Sequence, residues 1–257
     1  MKKTLQLIAL KVYELLVRTG LMKWRPVRHL FVTLYSAYKT LIESGPVERL
    51  HDQVSPGSIV IDIGANVGFF TRKFARWVGV AGYVIAVEPD AENFAHLTRL
   101  LNKSNEGSRV KAYNAAAAAK DGILHLQRNE VHPGDHRLAR DGKGIEIPAF
   151  AIDSLVPEPD VSRRVALIKI DVQGAEMQVL QGAWHTIDTS RPALFIELDD
   201  AALRDFDSSA AEIVDALSQR NYVPHQLSVK GPPRRLSREE ILDNVAKNYI
   251  DVLFLPA

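Results

Sequence analysis

The chain has 257 residues, 46% hydrophobic and 25% charged, a globular composition that excludes a wholly disordered polymer. It contains no cysteine, which excludes disulfide frameworks, thiolate metal sites, iron–sulfur clusters and a cysteine nucleophile. The net charge of +1 divides into +6 over residues 1–50 and −5 over the rest, so a basic extension precedes a mildly acidic body that lacks the positive excess needed to bind nucleic acid.

Met1 to Thr19 reads as an amphipathic helix. Lys3, Lys11, Glu14 and Arg18 share one side, and Leu5, Ile8, Val12, Leu15 and Leu16 the other. A second helical stretch runs from Val27 to Glu43, and Ser44-Gly45-Pro46 breaks it. Lys2-Lys3 imitates the start of a signal peptide, but Lys11 and Glu14 interrupt the apolar run and no small-residue cleavage site follows. No run of about 18 apolar residues predicts a membrane span. The expected organisation is an extension over residues 1–50 and a body over residues 51–257. Two occupants compete for residues 1–45: packing on the body or on a second subunit of a homo-oligomer, and peripheral contact with an anionic membrane. The expected location is cytoplasmic, at the membrane surface in the second case.

From there strands and helices alternate. Ser58–Ile63 predicts a strand, Val67–Val78 a helix, Gly82–Val87 a strand, Asp90–Leu101 a helix and Arg109–Tyr113 a third strand. Gly122–Leu126 and Gly144–Ala149 alternate like hairpin or edge strands around a polar loop, residues 128–143. Val165–Ile170 is a buried strand, followed by a helix over Gly174–Ile187, a strand at Pro192–Leu198, a helix over Ser208–Arg220, and strands at Tyr222–Gln226 and Tyr249–Leu255. The pattern predicts an α/β fold with a mostly parallel sheet covered on both faces and a ligand beyond the carboxyl ends of the strands. Trp77 and Trp184 fall on helical faces and read as core.

The segment Ile61-Asp62-Ile63-Gly64-Ala65-Asn66-Val67-Gly68 ends a strand in small residues and opens a helix, so backbone can approach a ligand and free N–H groups are expected there. Its G-x-x-x-G spacing is neither the dinucleotide fingerprint nor a phosphate loop, and Asp62 would repel a pyrophosphate. The next strand ends in Glu88-Pro89-Asp90, where an acid can accept hydrogen bonds from ribose hydroxyls. The third ends in Asn114-Ala115, an amide and a small residue suited to border an adenine. Together they ask for a nucleoside with a charged, non-phosphate tail, and S-adenosyl-L-methionine fits.

IDIGANVGFFT (61–71), VEPDAENF (87–94), LIKIDVQGAEMQVLQGA (167–183), PALFIEL (192–198) and NYIDVLFLP (248–256) resemble the FkbM family of class I S-adenosylmethionine-dependent methyltransferases. The resemblance spans about residues 55–256. It implies a Rossmann-like class I methyltransferase fold with a seven-stranded sheet, with Asp62, Gly64, Ala65, Asn66 and Gly68 around the methionyl part, Glu88 and Pro89 at the ribose, and Asn114 and Ala115 near the adenine. The family pattern usually has Glu where this chain has Gln173.

Methyl transfer to a hydroxyl needs alignment and removal of a proton. Asp171, at the end of the fourth buried strand, is the leading candidate base, with Lys169, Gln173 and Glu176 beside it. Glu176 is a candidate catalytic acid or base, or a helix-stabilising one. His132 and His136, in the polar loop near His125, are further candidate bases because histidine titrates near neutrality. Glu197, Asp199 and Asp200 could join Asp171 in holding a candidate Mg2+; no dedicated metal site is expected from the sequence. The acceptor class, a hydroxyl on a sugar, glycan or related natural product, comes from the resemblance. Two alternatives remain: a catalytically idle cofactor-binding subunit, and an NAD-type oxidoreductase on a similar fold.

Overall fold

Ile59–Ile63 is buried along its whole length and forms β1. Its side chains alternate between two cores. Ile59, Ile61 and Ile63 enter one, and Val60 enters the other with Phe74, Leu167 and Phe195. A strand apolar on both faces belongs in the middle of a sheet covered by helices on each side. The computed structural model describes residues 19–21, 24, 27, 47–127, 137–139, 144–156, 163–229 and 231–257. Most of the 1–50 extension, His132, His136 and most of the polar loop lie outside the described residues.

After β1 come α1 (Phe69–Trp77), β2 (Tyr83–Val87), α2 (Ala91–Asn102), β3 (Val110–Tyr113), β4 (Ala116–Ala117), β5 (Gly122–Gln127), β6 (Arg137–Leu138) and β7 (Ile145–Phe150). They are followed by α3 (Ile152–Leu155), β8 (Val165–Ile170), α4 (Glu176–Gln181), α5 (Trp184–Ser190), β9 (Ala193–Leu198), α6 (Asp200–Arg204), α7 (Ala210–Ser218), β10 (Tyr222–Gln226), β11 (Arg234–Arg235), α8 (Arg238–Val245) and β12 (Ile250–Pro256).

The main sheet has the order β11-β10-β12-β9-β8-β1-β2-β3. From β9 to β3 all neighbours are parallel. β12 inserts antiparallel between β9 and β10. The sheet therefore has eight strands, not the seven expected. The addition is β11, an antiparallel edge pair of exposed arginines too short to show any alternation. Strand order reverses between β1 and β8, where ligands of such sheets bind.

Three more differences have local causes. The predicted strands Gly122–Leu126 and Gly144–Ala149 become β5 and β7 of a separate sheet, order β4-β7-β5-β6. It has a small core of its own, Ala116, Ala118, Leu126, Ile147 and Ala149. The single helix expected over Gly174–Ile187 is two, α4 and α5. Between them, a Cβ at Gly182 would lie 2.0 Å from the Ala118 carbonyl oxygen, so backbone passes where a side chain would stand. Helix α8, not foreseen, starts at a capping box in which Ser237 and Glu240 bond reciprocally. Trp77 and Trp184 do pack on the core, half-buried, Trp77 on Phe74 and Trp184 under the Arg220 guanidinium.

Candidate functional site

The turn from β1 to α1 is built around two glycines at positive φ, Gly64 at +72° and Gly68 at +91°. A Cβ on Gly64 would lie 1.9 Å from the Asp171 carbonyl oxygen, and one on Gly68 would lie 2.6 Å from Leu97 Cδ1. Gly64 thus excludes a side chain on space and on backbone conformation, and Gly68 on backbone conformation. The N–H groups of the turn itself are engaged, while the first turn of α1 has no side-chain cap. Gly64 and Ala65 donate to the Val87 carbonyl at 3.0 and 3.1 Å. Asn66 N–H donates to Glu88 Oε2 at 2.7 Å, and Val67 N–H to the Asn66 side chain at 2.8 Å. The turn is folded against the tip of β2 rather than held open as an anion cradle.

Glu88 is the reason. It is 4% exposed, and its other oxygen accepts the Asp90 N–H at 2.9 Å. Burial pushes its pKa up to about 7, against the backbone hydrogen bonds from Asp90 and Asn66 that favour the charge. A carboxylate has about four acceptor sites, so some capacity remains after the Asp90 and Asn66 amides and the Asn93 side chain are satisfied. Pro89 follows, Asp90 caps α2 by accepting from Glu92 and Asn93 N–H, and Asn114 Nδ2 donates to the Glu88 and Pro89 carbonyls at 2.9 and 3.1 Å. Asn114 thereby braces the turn that carries Glu88. Ala115 is buried in the main core, and Ala116 and Ala117 take its expected place beside the turn.

Parallel pairing sets Asp62 beside Lys169, so both side chains leave the same face of the sheet. Lys169, 3% exposed, is the hub of this edge; its alternation with the buried Ile168 and Ile170 reads in the sequence as a lysine paired with an acid across the sheet, and that is where it stands. Its ammonium donates to the Gly64 carbonyl at 2.9 Å, pairs with Asp171 Oδ2 at 3.2 Å, approaches Asp62 Oδ1 at 3.8 Å and lies 5.1 Å from the centre of the Phe70 ring. Burial alone would lower its pKa; the carboxylates of Asp171, Asp62 and Glu197 outweigh this and hold it above the usual lysine value. Asp62 is wholly buried and accepts from the Thr71 hydroxyl at 2.5 Å. Burial raises its pKa against Lys169 and Thr71, and its Oδ1 has no hydrogen-bond donor. The signal was present in the sequence: one lysine between Ile168 and Ile170 in a strand otherwise apolar.

At the top of β8, Gln173 sits at φ +58°, and its amide nitrogen lies 3.3 Å from Asp171 Oδ1 and 3.2 Å from Glu197 Oε1. One NH2 group thus joins two acids. Glu176 is 3% exposed and folds back on the turn, its Oε1 accepting from Val172 and Gly174 N–H at 3.2 and 3.1 Å. Burial pushes it up to about 7, against those backbone bonds. The structure therefore brings Asp171, Gln173 and Glu197 together and uses Glu176 as a loop cap.

The candidate Mg2+ does not fit. Asp199 caps α6 through Ala201 and Ala202 N–H; Asp200 binds Arg204 and the Ala210 N–H; and the Gln173 amide already bridges Asp171 and Glu197. Among the described residues no group of three His, Asp or Glu is placed to hold a metal. No described helix is long and apolar enough to cross a membrane.

The second sheet roofs this edge. Ile63, Gly64, Val87, Pro89 and Val172 face Ala116, Ala117, Leu126 and Leu138 across a space of about 30 Å³. That is room for about one water.

A family model described as the methyltransferase FkbM domain matches residues 62–224. Methyltransferase 1 of Beauveria bassiana is 26% identical over 173 residues, 56% of this chain and 66% of that protein. A protein-L-isoaspartate O-methyltransferase of Triticum aestivum is 29% identical over 162 residues, 62% of each chain. The hexuronic acid methyltransferase AglP of Haloferax volcanii is 22% identical over 148 residues, 57% of this chain and 59% of that one. The chain thus spans less than two thirds of the length of each of these relatives. A solved structure of a proposed rRNA methylase from Clostridium thermocellum superposes with a TM-score of 0.51 at 13% identity, covering 84% of this chain and 94% of that one, and shares the fold.

Proposed function

Because the chain belongs to the methyltransferase FkbM domain family, we propose that it uses S-adenosylmethionine to methylate a hydroxyl of a sugar, glycan or related natural product. Family membership sets aside the nicotinamide-dependent alternative. The observation that carries the cofactor reading is the chemistry of the carboxyl edge. It offers Glu88, Asp62 and Asp171 around a glycine turn whose N–H groups are engaged, a setting that favours a cation and disfavours a phosphate. The hexuronic acid relative supports the sugar class, and the O-methyltransferase relative supports oxygen as the accepting atom.

When bound, the cofactor supplies a methyl group on a sulfonium, already activated for in-line displacement. The remaining tasks fall to this chain. Glu88 binds the ribose hydroxyls with the acceptor capacity left by its backbone donors and the Asn93 side chain. Gly64 lets the ligand lie against the turn, and Ala65, Asn66 and Gly68 shape it. Lys169 fixes both the Gly64 carbonyl and the Asp171 carboxylate, so cofactor turn and candidate base keep one geometry. Asp171, whose side chain is 31% exposed, receives the acceptor hydroxyl's proton on a carboxylate oriented by Lys169 and Gln173. The histidines of the polar loop, His132 and His136, remain rival bases.

Transfer of label from methyl-tritiated cofactor tests the reading, with hexuronic acids, neutral sugars and aspartyl peptides as acceptors. Label in a sugar ether is expected. Label confined to a peptide or to a carboxyl ester that mild alkali releases would contradict it.

A further inference from the structure

The opposite edge of the same strands carries a second feature that none of this chemistry uses. Where β2 and β3 begin, a cavity of about 460 Å³ is lined by Gly82, Tyr83, Ser108, Arg109, Lys111 and Arg163, with no acid among its described lining residues. At about 3.3 Å per residue, a strand such as β2 separates this edge from the Glu88 turn by roughly 15 Å, so the two places are distinct.

The cations converge rather than scatter. Lys111 lies 4.6 Å from the centre of the Tyr83 ring, and Arg163 acts electrostatically on the same tyrosine. Arg109 Nη1 donates to the Ala75 carbonyl at 3.3 Å, which sets its guanidinium at the wall. Among the described residues neither Lys111 nor Arg163 has an ion-pair partner, whereas Arg76, Arg204, Arg234 and Arg238 each pair with an acid. Tyr83 holds its proton more tightly than a free phenol, chiefly because it is buried and despite Arg163, so its O–H is available as a donor at neutral pH. The floor is backbone: a Cβ on Gly82 would lie 2.4 Å from the Ser58 carbonyl oxygen and 2.7 Å from that of Val78, so the chain is tucked in and the recess kept open.

We propose that this recess binds the phosphate group of a phosphate ester, separately from the cofactor edge. Two cations with no ion-pair partner among the described residues, a third held at the wall and two hydroxyls match the double charge and the acceptor oxygens of a phosphate better than the single charge of a carboxylate. The volume exceeds what a bare phosphate fills and leaves space for the group that carries it. A ligand held there cannot present its hydroxyls to Asp171, so the site anchors or regulates rather than reacts. The phosphate can come from a soluble sugar or nucleoside ester or from a phospholipid headgroup, and the test separates them.

Inorganic pyrophosphate is titrated calorimetrically into the full chain, into Lys111→Ala/Arg163→Ala, and into Arg235→Ala/Lys247→Ala, which removes the same charge from exposed positions elsewhere. S-adenosylhomocysteine binding serves as the folding control for all three. Saturable binding is expected, weakened at least tenfold in the first variant and within twofold of the parent in the second, with the nucleoside unaffected. No binding by the parent, or equal losses in both variants, would overturn the site. Flotation with phosphatidic acid vesicles, against phosphatidylcholine vesicles, then identifies the source. Vesicle binding that pyrophosphate displaces and Lys111→Ala/Arg163→Ala abolishes assigns a headgroup; vesicle binding indifferent to both assigns a soluble ester.

Discussion

The two edges of the central sheet handle charge in opposite ways. At the carboxyl edge Asp62, Glu88, Lys169 and Glu176 are buried, and neighbouring strands and turns hold them in place. At the amino edge Lys111 and Arg163 stand in the open with no opposing acid among the described residues. Burying an ion costs several kcal/mol unless partners compensate, so the first arrangement persists only if strand register delivers every partner. The second costs almost nothing and commits the chain to little beyond attracting an anion. Substitutions at the carboxyl edge should therefore act on folding and function together, and those at the amino edge on binding alone.

The largest effect is expected at Gly64. Gly64→Ala places a methyl group 1.9 Å from the Asp171 carbonyl oxygen at a φ that alanine disfavours, so β1 and β8 must part. A loss of about 4 kcal/mol or more in urea unfolding is expected; an unchanged midpoint would show that the two strand ends are not in contact.

Lys169→Met comes next. It leaves Asp62 and Asp171 without their shared cation and should destabilise the fold by about 3–5 kcal/mol. Adding Asp62→Asn should recover part of that loss, and a double-mutant cycle with no coupling would break the proposed hub.

Asp171→Asn keeps the hydrogen-bonding shape at the tip of β8 and removes the base. Turnover should fall by about 10²–10⁴ while affinity for S-adenosylhomocysteine stays the same. Wild-type turnover would move the proton to another group, with His132 and His136 the first to examine.

Glu176→Gln should have the smallest effect, with a recognisable pH signature. The folded-state pKa of Glu176 is pushed up to about 7 from an ordinary 4.5. Its stabilising contribution is thus full below pH 4.5 and is lost as pH rises through 7. Glu88 behaves in the same direction for the same cause. The thermal midpoint of the parent should therefore fall across that interval, and Glu176→Gln should flatten the fall, since a neutral amide can still accept both N–H bonds. A steeper fall in the variant, or a large loss of turnover, would place Glu176 in the chemistry instead of the loop.

Much of this was legible in the sequence because register is local. The apolar runs at 59–63, 83–87 and 165–170 could only be central strands, and Gly64 and Glu88 sit at their ends by count alone. Lys169 was legible as a lysine paired across the sheet, but which acid it meets, Asp62 more than a hundred positions away, appears only once β1 and β8 pair. The split at Gly182 was invisible for the same reason, since its cause is the Ala118 carbonyl of another sheet. β11 was too short to carry a pattern, whereas the Ser237–Glu240 capping box was readable and was missed. Asn114, expected near the adenine, steadies the turn that carries Glu88.

The central claim is that the turn at 64–68 and the acid at 88 form one nucleoside site. Calorimetric titration of S-adenosylhomocysteine into the parent and into Glu88→Ala, both verified as folded by circular dichroism, tests it most directly. Saturable binding by the parent and at least a tenfold weaker interaction in the variant are expected. Equal affinity in both, or no binding by the folded parent, would contradict it.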